Sequence, residues 1–156
     1  LFSSGGGSGE VVLEAIVQLA GQCLKRDGAV GIVSEFMNPG PILLDKLKTW
    51  WSRHSPTPCG GILFTNEHPI DADTYSQRRA DDAQEFATWK AHLEHEGIDE
   101  VSPGLLFLRP MQGELDHILV PKTQQGSIWT PANREAANFT KRVAATKFRT
   151  EFTERS

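Results

Sequence analysis

Two adjoining segments near the start of the chain constrain its fold most. Leu13, Ile16, Val17, Ala20, Cys23 and Leu24 recur at the spacing of one helical face, so residues 10–26 are expected to form an amphipathic helix. Ser8 stands where a cap is needed, Glu10 and Glu14 suit the positive end of the helix, and Lys25 and Arg26 suit the negative end before Asp27-Gly28 stops it. Ala29–Phe36 (AVGIVSEF) follows at once, short and mostly apolar, the pattern of a strand buried on both faces of a parallel sheet. A helix feeding a buried strand is half of a βαβ unit, which places the chain in the α/β class.

The remaining segments continue the alternation. Met37-Asn38-Pro39-Gly40-Pro41 cannot extend a strand, because its two prolines lack ladder donors, and a helix is expected over residues 42–53. Ile62–Asn66 reads as a strand, residues 71–96 as one polar helical stretch stopped by Gly97, and Leu105–Arg109 as another strand. Leu115–Val120 is expected to pair back on that strand as a hairpin, and a last helix starts at Pro131 behind Thr130. Residues 1–120 are thus expected to form one α/β domain, with residues 121–156 a helical extension. Trp50 and Trp51 are expected to bury one ring and leave the other at the surface, and Cys59 falls in the SPTPCGG loop.

Composition narrows the class. The 156 residues are 38% hydrophobic and 23% charged, with a net charge of −4, ordinary values for a globular domain. No apolar run reaches the roughly 18 to 20 residues of a membrane span, and no basic segment followed by an apolar one marks a signal peptide, so a cytoplasmic location is expected. Cys23 and Cys59 stand far apart without a nearby histidine pair, which argues against a disulfide scaffold or a zinc site. His92 and His95 lie three apart on a helix without a third ligand, so no metal is expected. The chain starts at Leu1 rather than at a methionine and reads as cut from something longer.

The charge is uneven. Residues 132–156 hold six basic side chains (Arg134, Lys141, Arg142, Lys147, Arg149, Arg155) against three acidic ones. A basic terminal helix could meet phosphates, a nucleic acid or an acidic partner, although the interspersed carboxylates and the lack of a stacking platform favour a plain solvated face.

Gly5, Gly7 and Gly9 form a GxGxG run at the head of the first helix, where backbone N–H groups and the helix N-terminus attract polar or anionic ligands. Glu35 closes the next strand, where a nucleotide-binding fold keeps an acid for a ribose hydroxyl. Its distance from Gly9 exceeds the usual spacing of about 20 residues. Ligands of open α/β sheets bind beyond the carboxyl ends of the strands, and that edge gathers Ser3, Ser4, the glycines, Glu35, Phe36, Asn38 and Asn66.

Leu1–Leu13, with Leu24-Lys25-Arg26-Asp27-Gly28 leading into Ala29–Val33, resembles the second half of class I S-adenosylmethionine-dependent methyltransferases, closest to the methyltransferase small domain group. Tyr75–Gly97 and Val101–Arg109 (VSPGLLFLR) are similar to that group's last helix and its antiparallel closing strand, so the resemblance covers residues 1–110. It implies a Rossmann-like sheet, mostly parallel with an antiparallel closing strand, of which this chain is the later part. It also implies S-adenosylmethionine as cofactor, held by Gly5, Gly7, Gly9 and Glu35, with Ser3, Ser4, Phe36 and Asn38 on the substrate wall. The methyl acceptor, whether protein, RNA or small molecule, is left open, and N-methyl transfer is the expected chemistry. Asn38-Pro39-Gly40-Pro41 departs from the family's Asn-Pro-Pro-Tyr at its second proline and its aromatic, and reads more simply as a turn. The family's own cofactor loop and Asn-Pro-Pro-Tyr would lie upstream of Leu1. The reading from another class is a non-catalytic α/β interaction module using the basic terminal helix, with Phe148 and Phe152 exposed; a third is a complete cofactor-binding domain of reduced type.

Overall fold

The computed structural model describes residues 9–121. Helix α1 (Val11–Cys23) leads into β1 (Val30–Met37), α2 (Pro41–Ser52) and β2 (Cys59–Asn66). After these come the two-residue strand β3 (Ile70–Asp71), α3 (Ala72–Arg79), α4 (Ala83–His95), β4 (Glu100–Pro110) and β5 (Leu115–Val120). The chain divides into two compact units, Leu1–Leu119 and Val120–Ser156, and all of these elements lie in the first, save the last residue of β5. The helix expected from Pro131, its basic side chains, Phe148 and Phe152 lie outside the described residues, as do Leu1–Ser8.

The protein is α/β, with a mixed, open sheet in the order β1-β4-β2-β5 and β3 added on β4. β4 runs antiparallel to β1, from Val30↔Leu108 to Met37↔Val101, and antiparallel to β2, from Cys59↔Pro110 to Thr65↔Gly104. β1 and β2 therefore point the same way, joined through α2, with β4 inserted between them, the arrangement of a split βαβ unit.

Side-chain alternation sorts the core onto the two faces of the sheet. Ile32, Phe36, Leu63, Leu106, Leu108 and Leu115 meet Leu13, Val17 and Ala20 of α1 and Leu43, Leu47, Trp50 and Trp51 of α2. On the opposite face, Met37 and Val101 pack with Tyr75, Leu93 and Ile98. Burying a side chain of this size contributes about 1.5–3 kcal/mol, so the first cluster dominates the stability of the unit.

Several sequence expectations are corrected by the fold. β1 is buried on one face only: Ile32 and Phe36 are inside, while Gly31, Val33 and Glu35 are exposed. It is an edge strand among the described residues, and its neighbour there, β4, is antiparallel and not parallel. Leu115–Val120 does form a strand, yet it lies beside β2 and not β4, because β1 and β2 already occupy both edges of β4. Residues 71–96 are two helices, broken at Ala80–Asp82: Asp82 caps α4 by accepting from the Glu85 N–H at 2.8 Å, and the Glu85 carboxylate accepts from the Asp81 N–H at 2.8 Å.

Both tryptophans are buried, Trp50 at 6% exposure and Trp51 at 0%; the Trp51 indole donates to the Thr57 carbonyl at 2.9 Å, which satisfies its polar end. Cys59 opens β2 and does not sit in a loop, and burial pushes its thiol pKa up. α1 begins at Val11 behind Glu10, with no side-chain cap, and ends at Cys23, before Lys25 and Arg26. Among the described residues no helix is long and apolar enough to cross a membrane.

Candidate ligand site at the carboxyl end of β1

The first turn of α3 is set by Asp71, whose carboxylate accepts from the Thr74 N–H and hydroxyl, both at 2.8 Å. That start places Tyr75 and Arg79, four apart and so on one helical face, over the outer side of β1. The Tyr75 hydroxyl donates to Glu35 Oε2 at 2.7 Å, and Arg79 Nη2 donates to the same oxygen at 2.6 Å. The Arg79 guanidinium lies 5.1 Å from the centre of the Tyr75 ring, and Trp89 of α4 meets that ring edge-on at 6.2 Å.

Burial, with the hydrogen bond and negative charge of Glu35 behind it, pushes the Tyr75 pKa up to about 12. The phenol is therefore a donor and not a base at neutral pH. The Glu35–Arg79 pair is partly solvated, its side chains 39% and 33% exposed, and pairs of this kind contribute up to about 1 kcal/mol. Tyr75 and Arg79 both donate to Oε2, which leaves Oε1 to meet solvent or a ligand.

Asn38 follows β1 with φ 43°, a conformation asparagine tolerates better than most residues. Its side-chain amide donates to the Gly97 carbonyl at 2.8 Å, and its side-chain oxygen accepts from the N–H groups of Asp99 and Glu100 at 2.9 and 3.2 Å. Its polar atoms are thus engaged in tying the end of β1 to the turn between α4 and β4. Gly97, at φ 65°, makes that turn. Asn38→Ala should cost about 2–3 kcal/mol, since it strands two N–H groups and puts a Cβ-only residue at positive φ. Asn38→Gly should cost less than Asn38→Ala, because glycine keeps the backbone conformation; chemical denaturation of the two variants separates the contributions.

The expected site residues therefore divide. Glu35 lies at the carboxyl end of β1 with an exposed carboxylate. Phe36 points to the other face and is buried in the core, so its ring supports the strand from below and offers no surface to a substrate. Asn66 ends β2, its N–H donating at 3.0 Å to the hydroxyl of the buried Ser102. Gly9, at φ 72°, has a backbone that favours glycine; Ser3, Ser4, Gly5 and Gly7 lie outside the described residues. Tyr75 and Arg79 were not singled out from sequence, although the Asp71 cap followed by an aromatic and a base four apart marks one helical face.

A second polar contact lies at the same end of the sheet, between β2 and β5. The hydroxyl of the buried Thr65 lies 2.8 Å from His117 Nε2, linking β2 to β5, and burial pushes the His117 pKa down. Among the described residues no group of three or more His, Cys, Asp or Glu is placed to hold a metal ion. The sequence matches no protein-family model and no curated protein.

Proposed function

We propose that this chain is the carboxy-terminal part of a class I S-adenosylmethionine-dependent methyltransferase, acting by N-methyl transfer in the cytoplasm. The observation that carries the reading is β4, which lies antiparallel between the codirectional β1 and β2. Its residues Val101–Arg109 are those the family resemblance assigns to an antiparallel closing strand. In this reading the parallel part of a Rossmann-like sheet continues past β1, on the side where the described residues supply no further strand.

The carboxyl end of β1 then faces the ligand cleft. Glu35, held from behind by Tyr75 and Arg79, accepts a hydrogen bond from the cofactor in this reading. Asn38 shapes the substrate wall through the turn it fixes. Held by Glu35, S-adenosylmethionine would supply an electrophilic methyl group for transfer to an acceptor nitrogen. Such a transfer depends on in-line placement more than on a strong base. The acceptor is a protein, an RNA or a small molecule. Binding of S-adenosylmethionine by the intact parent, and only weakly by these 156 residues, is the test.

The non-catalytic interaction module is the second reading. The features that distinguish it, the basic helix with Phe148 and Phe152, lie outside the described residues.

A further inference from the structure

Glu35 is the only charged residue of β1, and the residue opposite it on β4 is Pro103, so its charge is answered from α3 and not from the neighbouring strand. Arg79 Nη2 brings a full positive charge to Oε2 at 2.6 Å. Tyr75 brings a hydrogen bond to the same oxygen at 2.7 Å and no charge, because its phenol stays protonated at neutral pH. Arg79 is itself held in place, with its guanidinium 5.1 Å from the centre of the Tyr75 ring and Trp89 set edge-on against that ring. The cluster of Glu35, Tyr75 and Arg79 therefore carries no net charge, while Glu35 Oε1 keeps its lone pairs.

A carboxylate standing alone attracts any cation and accepts from any donor. Paired with a guanidinium at hydrogen-bond distance it becomes a dipole, and the two opposite charges largely cancel for a ligand charge farther off. Hydrogen bonding at Oε1 survives that cancellation, because it depends on direct contact and direction. The distinction bears on S-adenosylmethionine, whose sulfonium makes it one charge more positive than its thioether product, S-adenosylhomocysteine. The sugar hydroxyls of the two molecules are the same.

We propose that Arg79 is a specificity-determining residue: by cancelling the charge of Glu35 it makes this carboxylate read a ligand's hydroxyl groups and disregard the ligand's charge, so that the cofactor and its product are held alike at this position. The inference rests on the methyltransferase reading, in which Glu35 meets the cofactor. Arg79 acts through Glu35, as a positioning residue, and its effect is on which ligand charge the site prefers.

Titration calorimetry of the intact parent with S-adenosylmethionine and with S-adenosylhomocysteine tests this through the ratio of the two affinities. Arg79→Met keeps an apolar stem on Tyr75 and removes the charge. It should move the ratio toward S-adenosylmethionine by roughly three- to fivefold, the Coulomb effect of one uncancelled charge in a partly solvated site, and the change should shrink as salt is raised. Arg79→Gln, which removes the charge and keeps a donor, should move the ratio the same way, while Arg79→Lys should hold it at the parent's value. Adding Glu35→Gln to Arg79→Met should abolish the change, since no charge is then left uncovered. Equal weakening of both ligands by Arg79→Met and Arg79→Gln, a change that salt does not touch, or one that persists with Glu35→Gln would overturn the inference. In each of those cases the methyltransferase reading still stands if Glu35→Gln weakens both ligands in the parent, whereas a parent that binds neither ligand overturns both.

Discussion

Gly104→Val should unfold the domain at temperatures where the parent is stable, with a loss of about 3 kcal/mol or more and a fall in Tm above about 10 °C. Gly104 sits in β4 between Ser34 of β1 and Thr65 of β2. A Cβ there would lie inside van der Waals contact of the Phe64 carbonyl oxygen and 2.9 Å from the Phe36 ring. Phe36 and Phe64 are both buried, so neither the ring nor the backbone beside it has open space to move into. Gly61 is constrained in the same way, its Cβ meeting the Phe107 carbonyl oxygen. Gly40 is the control: nothing lies within 4 Å of a Cβ built there, and Gly40→Ala should lose far less than Gly104→Val. Calorimetric melts of the three proteins check the ranking.

Trp51→Ala should cost about 4 kcal/mol, near the top of the range for a buried ring. The side chain is fully enclosed between α1, α2 and the sheet, and Gly21 of α1 is packed against it and its carbonyl, so that a Cβ on Gly21 would lie 3.0 Å from the Trp51 carbonyl oxygen and 3.5 Å from its ring. Removing the ring opens a cavity at the junction of three elements. It also removes one of the two donors to the Thr57 carbonyl, leaving only the Ser55 hydroxyl at 2.9 Å. Trp51→Phe keeps most of the volume and loses the hydrogen bond, so its cost should be about 1–2 kcal/mol. Urea titrations in which the midpoint moves and the slope does not would assign both effects to the folded state.

The contrast between these residues and Glu35 explains how much of the fold and site was legible in the sequence. The helical face of α1, the strand at Ala29–Phe36, the Ile62–Asn66 part of β2, and the helix after Gly40 follow from local periodicity and turn chemistry, which a single segment carries within itself. The break at Ala80–Asp82 also had a local signal, since Asp82 stands three residues before Glu85 in a capping arrangement, but the polar run on both sides hid it. The position of β5 had no local signal. A hairpin with β4 is the shortest connection, and it is excluded only because β1 and β2 occupy β4, a fact about segments far apart in the chain.

The site divides in the same way. Glu35 was marked by its place at the end of a strand, whereas its partners Tyr75 and Arg79 are 40 and 44 residues away and become neighbours only when α3 folds over β1. Asn38 was legible as a turn residue. That its amide closes three hydrogen bonds to Gly97, Asp99 and Glu100 depends on the tertiary approach of the α4–β4 turn. Phe36 was placed on the wrong side of its strand because a mostly apolar run does not say which residues face the helices. One exposed face on β1 settles that alternation.

In the proposed methyltransferase, β1, β4 and β2 are the later strands of a sheet whose cofactor site is completed by residues ahead of Leu1. Calorimetric titration of S-adenosylmethionine tests this most directly, run in parallel on the intact parent, on the parent carrying Glu35→Ala, and on the 156-residue chain. The expected result is binding in the micromolar range by the parent, binding weakened about tenfold by Glu35→Ala, and binding too weak to measure at that concentration by the chain by itself. Micromolar binding by the isolated chain would contradict a site that needs upstream residues, and the absence of binding by the intact parent would contradict the methyltransferase reading itself.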